Sequence, residues 1–188
     1  MKRVLVVLML LAVILTVPGC FSKKVDSGDK VKVELAIGKK YEVINAEKHA
    51  AANDPDQKVL TDGNEGNAVN WQDPSWLGAK LADPAKEVIT YILDLEKAED
   101  IGKVRAQFHQ TLYGIDVPAQ LKISVSLDKS TWSDPVVVDI PAKDLEPPSS
   151  DWVSVDVNAK ARYVKVEATP RQEWVFCGEI SVRRPEAK

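Results

Sequence analysis

Through most of this chain, apolar and polar residues alternate one by one. Leu121, Ile123 and Val125 alternate with Lys122, Ser124 and Ser126. Val153, Val155 and Val157 alternate with Ser154, Asp156 and Asn158, and Val164 and Val166 with Lys165 and Glu167. Val104, Ala106 and Phe108 alternate with Arg105, Gln107 and His109. A period of two puts successive side chains on opposite faces of a strand, one buried and one wet. Tyr91 to Leu95 and Trp174 to Val182 are further strand candidates. Turn chemistry at Asp62-Gly63, Tyr113-Gly114, Asp128-Lys129-Ser130 and Pro147-Pro148 separates these runs. Glu47 to Ala52 and Lys97 to Gly102 are expected to form single helical turns, and no long amphipathic helix or internal repeat is evident. Repeated short strands of this kind predict an all-β, antiparallel sandwich or barrel.

The first residues follow a different pattern. Lys2 and Arg3 precede an unbroken apolar run from Val4 to Val17, which ends at Pro18-Gly19 and is followed by Cys20. The run fits the roughly 7–15 residues of a signal-peptide core and falls short of the roughly 18 that span a bilayer. An uncleaved membrane anchor is the alternative. Val17-Pro18-Gly19-Cys20 resembles a bacterial lipobox, with Pro18 a departure from the commonest residue there. The resemblance implies a leader over residues 1–19, cleavage before Cys20 and lipidation of that cysteine. Several acyl chains at about 0.8 kcal/mol per buried methylene anchor a protein stably. The expected location is the bacterial cell envelope, with the protein lipid-anchored to a membrane. Residues 20–32, rich in Lys, Asp, Ser and Gly, read as a flexible tether.

The remainder, residues 33–185, is long enough for one domain with a full core. Formal net charge is −3, and loss of Lys2 and Arg3 with a leader makes the chain two units more negative. That balance argues against nucleic acid and against electrostatic adhesion to anionic lipid. The chain has two cysteines. With Cys20 lipidated, Cys177 has no intramolecular partner, so it reads as a small buried hydrophobe.

Six segments, in order, carry a family resemblance. They are Glu34-Leu35-Ala36-Ile37-Gly38-Lys39 as an opening strand, and Leu60-Thr61-Asp62-Gly63 followed by Trp71 and Trp76. Next come Ile92-Leu93-Asp94-Leu95 with Ile101-Gly102-Lys103-Val104, then Ser124 to Asp128 followed by Trp132, with Lys129 where glycine is usual. Ala161 to Val166 and Glu179-Ile180-Ser181-Val182 complete the set. Together they resemble discoidin domains, also called coagulation factor V/VIII C-type domains. Gly114-Ile115-Asp116-Val117-Pro118 is similar to the version attached to bacterial glycoside-processing enzymes. The resemblance implies a galactose-binding-like, antiparallel jelly-roll β-sandwich, with Trp76 and Trp132 in its core.

It also implies a structural Ca²⁺ beside the Asp-Gly turn. The carboxylates of Asp62 and Glu179 would be ligands, with the carbonyls of Val59, Asn64 and Gly178. Ca²⁺ takes 6–8 oxygens from such mixed donors. Where many relatives place Ser or Thr just before the first Trp, this chain has Val69-Asn70. The alternative is an ordinary Asp-Gly turn with Glu179 on a wet strand face.

Ligands of the family bind on loops at one end of the sandwich. Here those loops span about 47–58, 70–80, 110–118 and 170–174, and they offer Tyr113, Trp71, His109, Asn53, Arg171 and Trp174. Sugar sites combine an aromatic platform with a few directed polar groups. Trp71 or Tyr113 suits the platform, and His109, Asn53 and Arg171 suit hydrogen bonding. His49 belongs to the same stock.

Catalysis is not expected. Asp54 with Asp56, and Glu96 with Glu99 and Asp100, read as solvated loop charges. The expected function is a membrane-anchored, non-catalytic module recognising carbohydrate. The alternative is an envelope lipoprotein that uses the same scaffold to bind an envelope protein.

Overall fold

The computed structural model describes residues 34–186. The expected leader, Cys20 and the tether lie outside the described residues. Eight strands run among the described ones: β1 (Lys40–Ile44), β2 (Ala46–Lys48), β3 (Leu77–Leu81), β4 (Ile89–Gln110), β5 (Gln120–Ser126), β6 (Val136–Asp139), β7 (Ser149–Thr169) and β8 (Val175–Arg183). All pair antiparallel in one continuous ladder, ordered β2-β3-β8-β4-β7-β5-β6, with β1 also paired to β4.

The ladder closes into a sandwich because its two long strands bend. β4 and β7 pair along nearly their whole lengths, but the register shifts between Asp94 and Glu99. The irregularity has a local cause. Glu96 sits at φ 70° and its N–H donates to Asp94 Oδ1 at 2.7 Å, while Arg162 clamps the same carboxylate with two hydrogen bonds of 2.8 Å. Such bulges bend strands and increase their twist. Before the bend, β4 lies between β1 and β7, and β5 and β6 extend that layer. After it, β4 lies between β7 and β8, and β3 and β2 extend the other layer.

Period two survives on both sides of the bend. Ile89, Tyr91, Leu93 and Leu95 are buried before it, and Val104, Ala106 and Phe108 after it. They join Leu121, Ile123, Val164, Val166, Ile180 and Val182 in one core cluster, which also takes in Cys177. The all-β sandwich expected from the alternation is therefore the fold.

Four local expectations differ. Residues 97–102 continue β4 rather than forming a helical turn, because Ile101 is buried and pairs with Ala159. Residues 46–48 form β2 instead of a helical turn, while short 3-10 turns occur at Val59–Thr61 and Pro84–Lys86. The expected opening strand from Glu34 is a single bridge to Arg183, and β1 begins at Lys40 after a turn at Gly38, φ 71°. Trp132 is only half-buried, covered by the Lys165 ammonium 4.9 Å from its ring centre. Trp76, by contrast, is fully buried.

Candidate functional site

The loop from Asp62 to Trp76 owes its shape to short polar side chains. Asp62, Asn67, Asn70 and Asp73 each accept, through a side-chain oxygen, the N–H two residues ahead, at 2.8 to 3.1 Å. Such turns replace backbone pairing where no strand neighbour exists. Two internal groups then fix the loop to the sandwich. Buried Gln107 accepts from Gly66 N–H at 2.7 Å, and the Trp76 indole N–H donates to the Asn67 carbonyl at 3.0 Å.

At the start of this loop, Glu179 of β8 meets the Asp62-Gly63 turn. The Gly63 N–H donates to Glu179 Oε2 at 3.1 Å. Glu179 is 4% exposed, so it does not lie on a wet strand face. Burial pushes its carboxyl up to about 9, with the Asp62 and Glu34 carboxylates adding to the effect. Glu34 is itself engaged by Arg183 at 3.5 Å and by Val182 N–H at 2.7 Å. Val59 opens the 3-10 turn just before Asp62, Asn64 is exposed just after it, and Gly178 precedes Glu179 in β8. Two carboxylates so placed repel each other unless a proton or a cation lies between them. Carboxylate and carbonyl oxygens are the donor types that Ca²⁺ takes, but among the described residues no three His, Cys, Asp or Glu side chains group to hold a metal.

A second neighbourhood is aromatic. The His49 ring lies 5.4 Å from Trp71, 4.8 Å from Trp174 and 5.4 Å from Phe176, centre to centre. Its Nδ1 accepts the Ala51 N–H at 3.2 Å. Trp71 reaches on to Tyr113 at 6.4 Å. Tyr113 is 77% exposed and sits at φ 77°, followed by Gly114 at φ 74°. A bulky residue in this region is strained, and such strain clusters at functional sites. The surrounding chain holds it: Thr111 bridges Ile115, and Trp174 N–H donates to the Gly114 carbonyl at 2.9 Å. The Lys80 ammonium lies 5.0 Å from the Trp174 ring centre, between Glu47 at 3.4 Å and Glu173 at 3.5 Å.

The structure thus brings Trp71, Tyr113 and Trp174 together and excludes others from them. His109 is wholly buried and packs 5.0 Å from the Trp76 ring, because both faces of β4 are covered at that point. It is an interior residue, not a ligand contact. Arg171 points a guanidinium N–H at the Ile140 carbonyl and lies 3.7 Å from buried Asp116. Asn53 is exposed and donates to the Ala50 carbonyl at 3.3 Å. Sequence reasoning places His49 in these loops without a role, and it misses the Glu47-Lys80-Glu173 group. The loop position of His49 was a signal, whereas the trio comes from three separate segments that only the folded chain unites. Asp54 also departs from expectation. It is buried, not solvated.

The sequence profile of the F5/8 type C domain matches residues 43–180. No curated protein matches the chain. Among solved structures, a Streptococcus pneumoniae fucose binding module is similar at 19% identity and TM-score 0.60, over 82% of this chain and 96% of that one. The lectin domain of lectinolysin, complexed with Lewis B antigen, is 19% identical with TM-score 0.56, over 81% and 96%. The CBM32-5 module from Clostridium perfringens, in complex with GalNAc-β-1,3-galactose, is 18% identical with TM-score 0.54, over 80% and 99%.

Proposed function

Because the chain belongs to the F5/8 type C domain family, we propose that it is a non-catalytic carbohydrate-binding module, held at a bacterial cell envelope by a lipid on Cys20. The observation that carries the reading is Tyr113, presented to solvent by a strained turn beside Trp71. A flat, exposed ring offers a platform for the apolar face of a sugar. Lys80, Glu47 and Glu173 at the rim supply donors and acceptors for hydroxyl groups. The similar folds, a fucose binding module, a lectin domain in complex with Lewis B antigen and a module in complex with GalNAc-β-1,3-galactose, favour a glycan as ligand. The lipobox at residues 17–20 supports the anchor. A single shallow site binds weakly, and many tethered copies on one membrane compensate through effective concentration.

Ca²⁺ is part of this proposal as a structural ion. Asp62 and Glu179 would hold it, with carbonyls of Val59, Asn64 and Gly178. Bound there, it would neutralise the two carboxylates and fix the start of the Asp62–Trp76 loop. The test is a glycan array on the domain, followed by titration calorimetry on hits with the Tyr113→Ala and Trp71→Ala variants. Tyr113→Ala is expected to weaken binding at least tenfold while leaving the unfolding temperature nearly unchanged. No hit at millimolar glycan, with or without Ca²⁺, overturns the reading.

One observation favours a second reading. Val69, Leu112 and Tyr113 are exposed apolar residues on the same set of loops. An envelope protein would cover such a surface. Capture of a partner from envelope extract that is lost with Tyr113→Ala, without any glycan hit, would support that alternative.

A further inference from the structure

The charges at the rim of the aromatic site are layered. Lys80 of β3 stands opposite Glu47 of β2 in the ladder, and Glu173 comes from the segment leading into β8. The Lys80 side chain is 29% exposed, against 62% for Glu47 and 60% for Glu173. An approaching ligand therefore meets the two carboxylates before the ammonium. Glu173 also abuts the platform: a Cβ on Gly114, next to Tyr113, would lie 3.6 Å from the Glu173 Cβ.

The Lys80 ammonium is engaged on several sides, by Glu47 at 3.4 Å, by Glu173 at 3.5 Å and by the Trp174 ring at 5.0 Å. It faces Oε1 of each carboxylate, which leaves each Oε2 to accept from a ligand. The other cations of the four loops are engaged elsewhere. The Arg171 guanidinium is turned to the Ile140 carbonyl and to Asp116. The Lys48 ammonium lies within 3.5 Å of the Asp54 carbonyl, and the Lys58 ammonium is 3.6 Å from Asp56. The Glu47-Lys80-Glu173 rim thus has an excess of negative charge and presents acceptors.

We propose that Glu47 and Glu173 make the Tyr113 site selective for uncharged glycans, whose free hydroxyl groups donate to these carboxylates. A hydrogen bond to an ionised acceptor is stronger than one between neutral groups. A sulfate or phosphate ester on such a hydroxyl removes the donor and adds a like charge, and an acidic sugar adds the charge alone. Either sets anion against anion, and such contacts are what exclude a wrong ligand. The selectivity rests on the Tyr113 surface being a glycan site, as proposed above, and names the class of glycan.

The experiment is a glycan array that prints neutral oligosaccharides beside their sulfated and sialylated forms. Titration calorimetry follows on the neutral glycan bound best and on its sulfated form. At low salt the neutral member is expected to bind about tenfold more tightly. In the double variant Glu47→Gln, Glu173→Gln, whose amides keep the size and add donors, that preference is expected to vanish. Added salt is expected to narrow the gap on the unaltered chain, because exposed charges are screened. A steric preference would not respond to salt. Equal or tighter binding of the sulfated form, or an undiminished preference in the double variant, overturns the selectivity and leaves the glycan reading standing. If nothing on the array binds, the glycan reading itself falls, and the selectivity with it. Should the double variant fail to fold, the salt dependence on the unaltered chain decides alone.

Discussion

The backbone N–H of Gly63 donates to the side chain of Glu179 across 3.1 Å, although 116 positions separate them in the chain. This contact ties the first long loop to the last strand. It also leaves a buried carboxyl beside Asp62, with its protonation pushed up to about 9, chiefly by burial. The folded state therefore holds this proton more tightly than the unfolded chain. The stability that it lends is complete below the usual carboxylate value of about 4.5 and is lost as pH climbs towards about 9. In chelator, the unfolding temperature is expected to fall through this range. Added Ca²⁺ should restore it more at higher pH, since binding displaces the proton. Glu179→Gln should flatten both responses. A variant that keeps the Ca²⁺ shift would remove Glu179 from the proposed ligand set.

His109 gives a pH dependence of opposite sign. Burial drives its pKa below the ordinary 6.5, so the unfolded chain takes up a proton that the folded chain refuses. Stability is then lost as pH falls below about 6.5. His109→Phe, which keeps a flat ring against Trp76, should remove that part of the loss. Urea midpoints at pH 5 and pH 7 for both proteins give the comparison.

Gly178 is a packing requirement. A Cβ there would lie 2.7 Å from the Trp76 ring and 2.8 Å from Gln107 Oε1. Both neighbours are buried and hold the Asp62–Trp76 loop through Gly66 and Asn67. Gly178→Ala should cost about 1–3 kcal/mol, the usual range for overpacking a tight interior. Chemical denaturation measures it, and a cost near zero would show that the ring can move aside.

Arg171 and Asp116 join two of the expected ligand loops from beneath. Asp116 is almost wholly buried and lies 3.7 Å from the guanidinium. Arg171→Ala leaves that buried carboxylate only the 3.4 Å hydrogen bond from Gln172 and should destabilise the domain by about 1–3 kcal/mol. Adding Asp116→Asn should recover much of the loss, a coupling that a double-mutant cycle reads directly. Additive losses would mean that the pair does not act as a unit.

Much of the fold was legible because strand alternation is a local signal. Leu121, Ile123 and Val125, and likewise Val164 and Val166, point inward as their spacing requires. What misled was local too. Lys97 to Gly102 lacks alternation and looks like a turn, yet it continues a strand because Arg162 and Asp94 stabilise a bulge beside it. His109 looked available because it follows a polar pattern, but at that point β4 is covered on both sides. Trp71, Tyr113 and Trp174 were legible as loop aromatics. Their contact with His49, and the placement of Lys80 between two carboxylates, were not.

By itself, the sequence determined the all-β class, most strand positions, the Asp62-Gly63 turn and the order of motifs that marks the family. These follow from side-chain periodicity and turn chemistry, which act over a few residues. Only the tertiary structure decided which polar groups lose water. Asp54 reads as a solvated loop charge and Glu179 as a cation ligand or a wet-face residue, and both are buried by segments distant in sequence or by the fold of their own loop. Desolvation depends on every neighbour within a few ångströms, and in a sandwich closed by two bent strands those neighbours come from all along the chain.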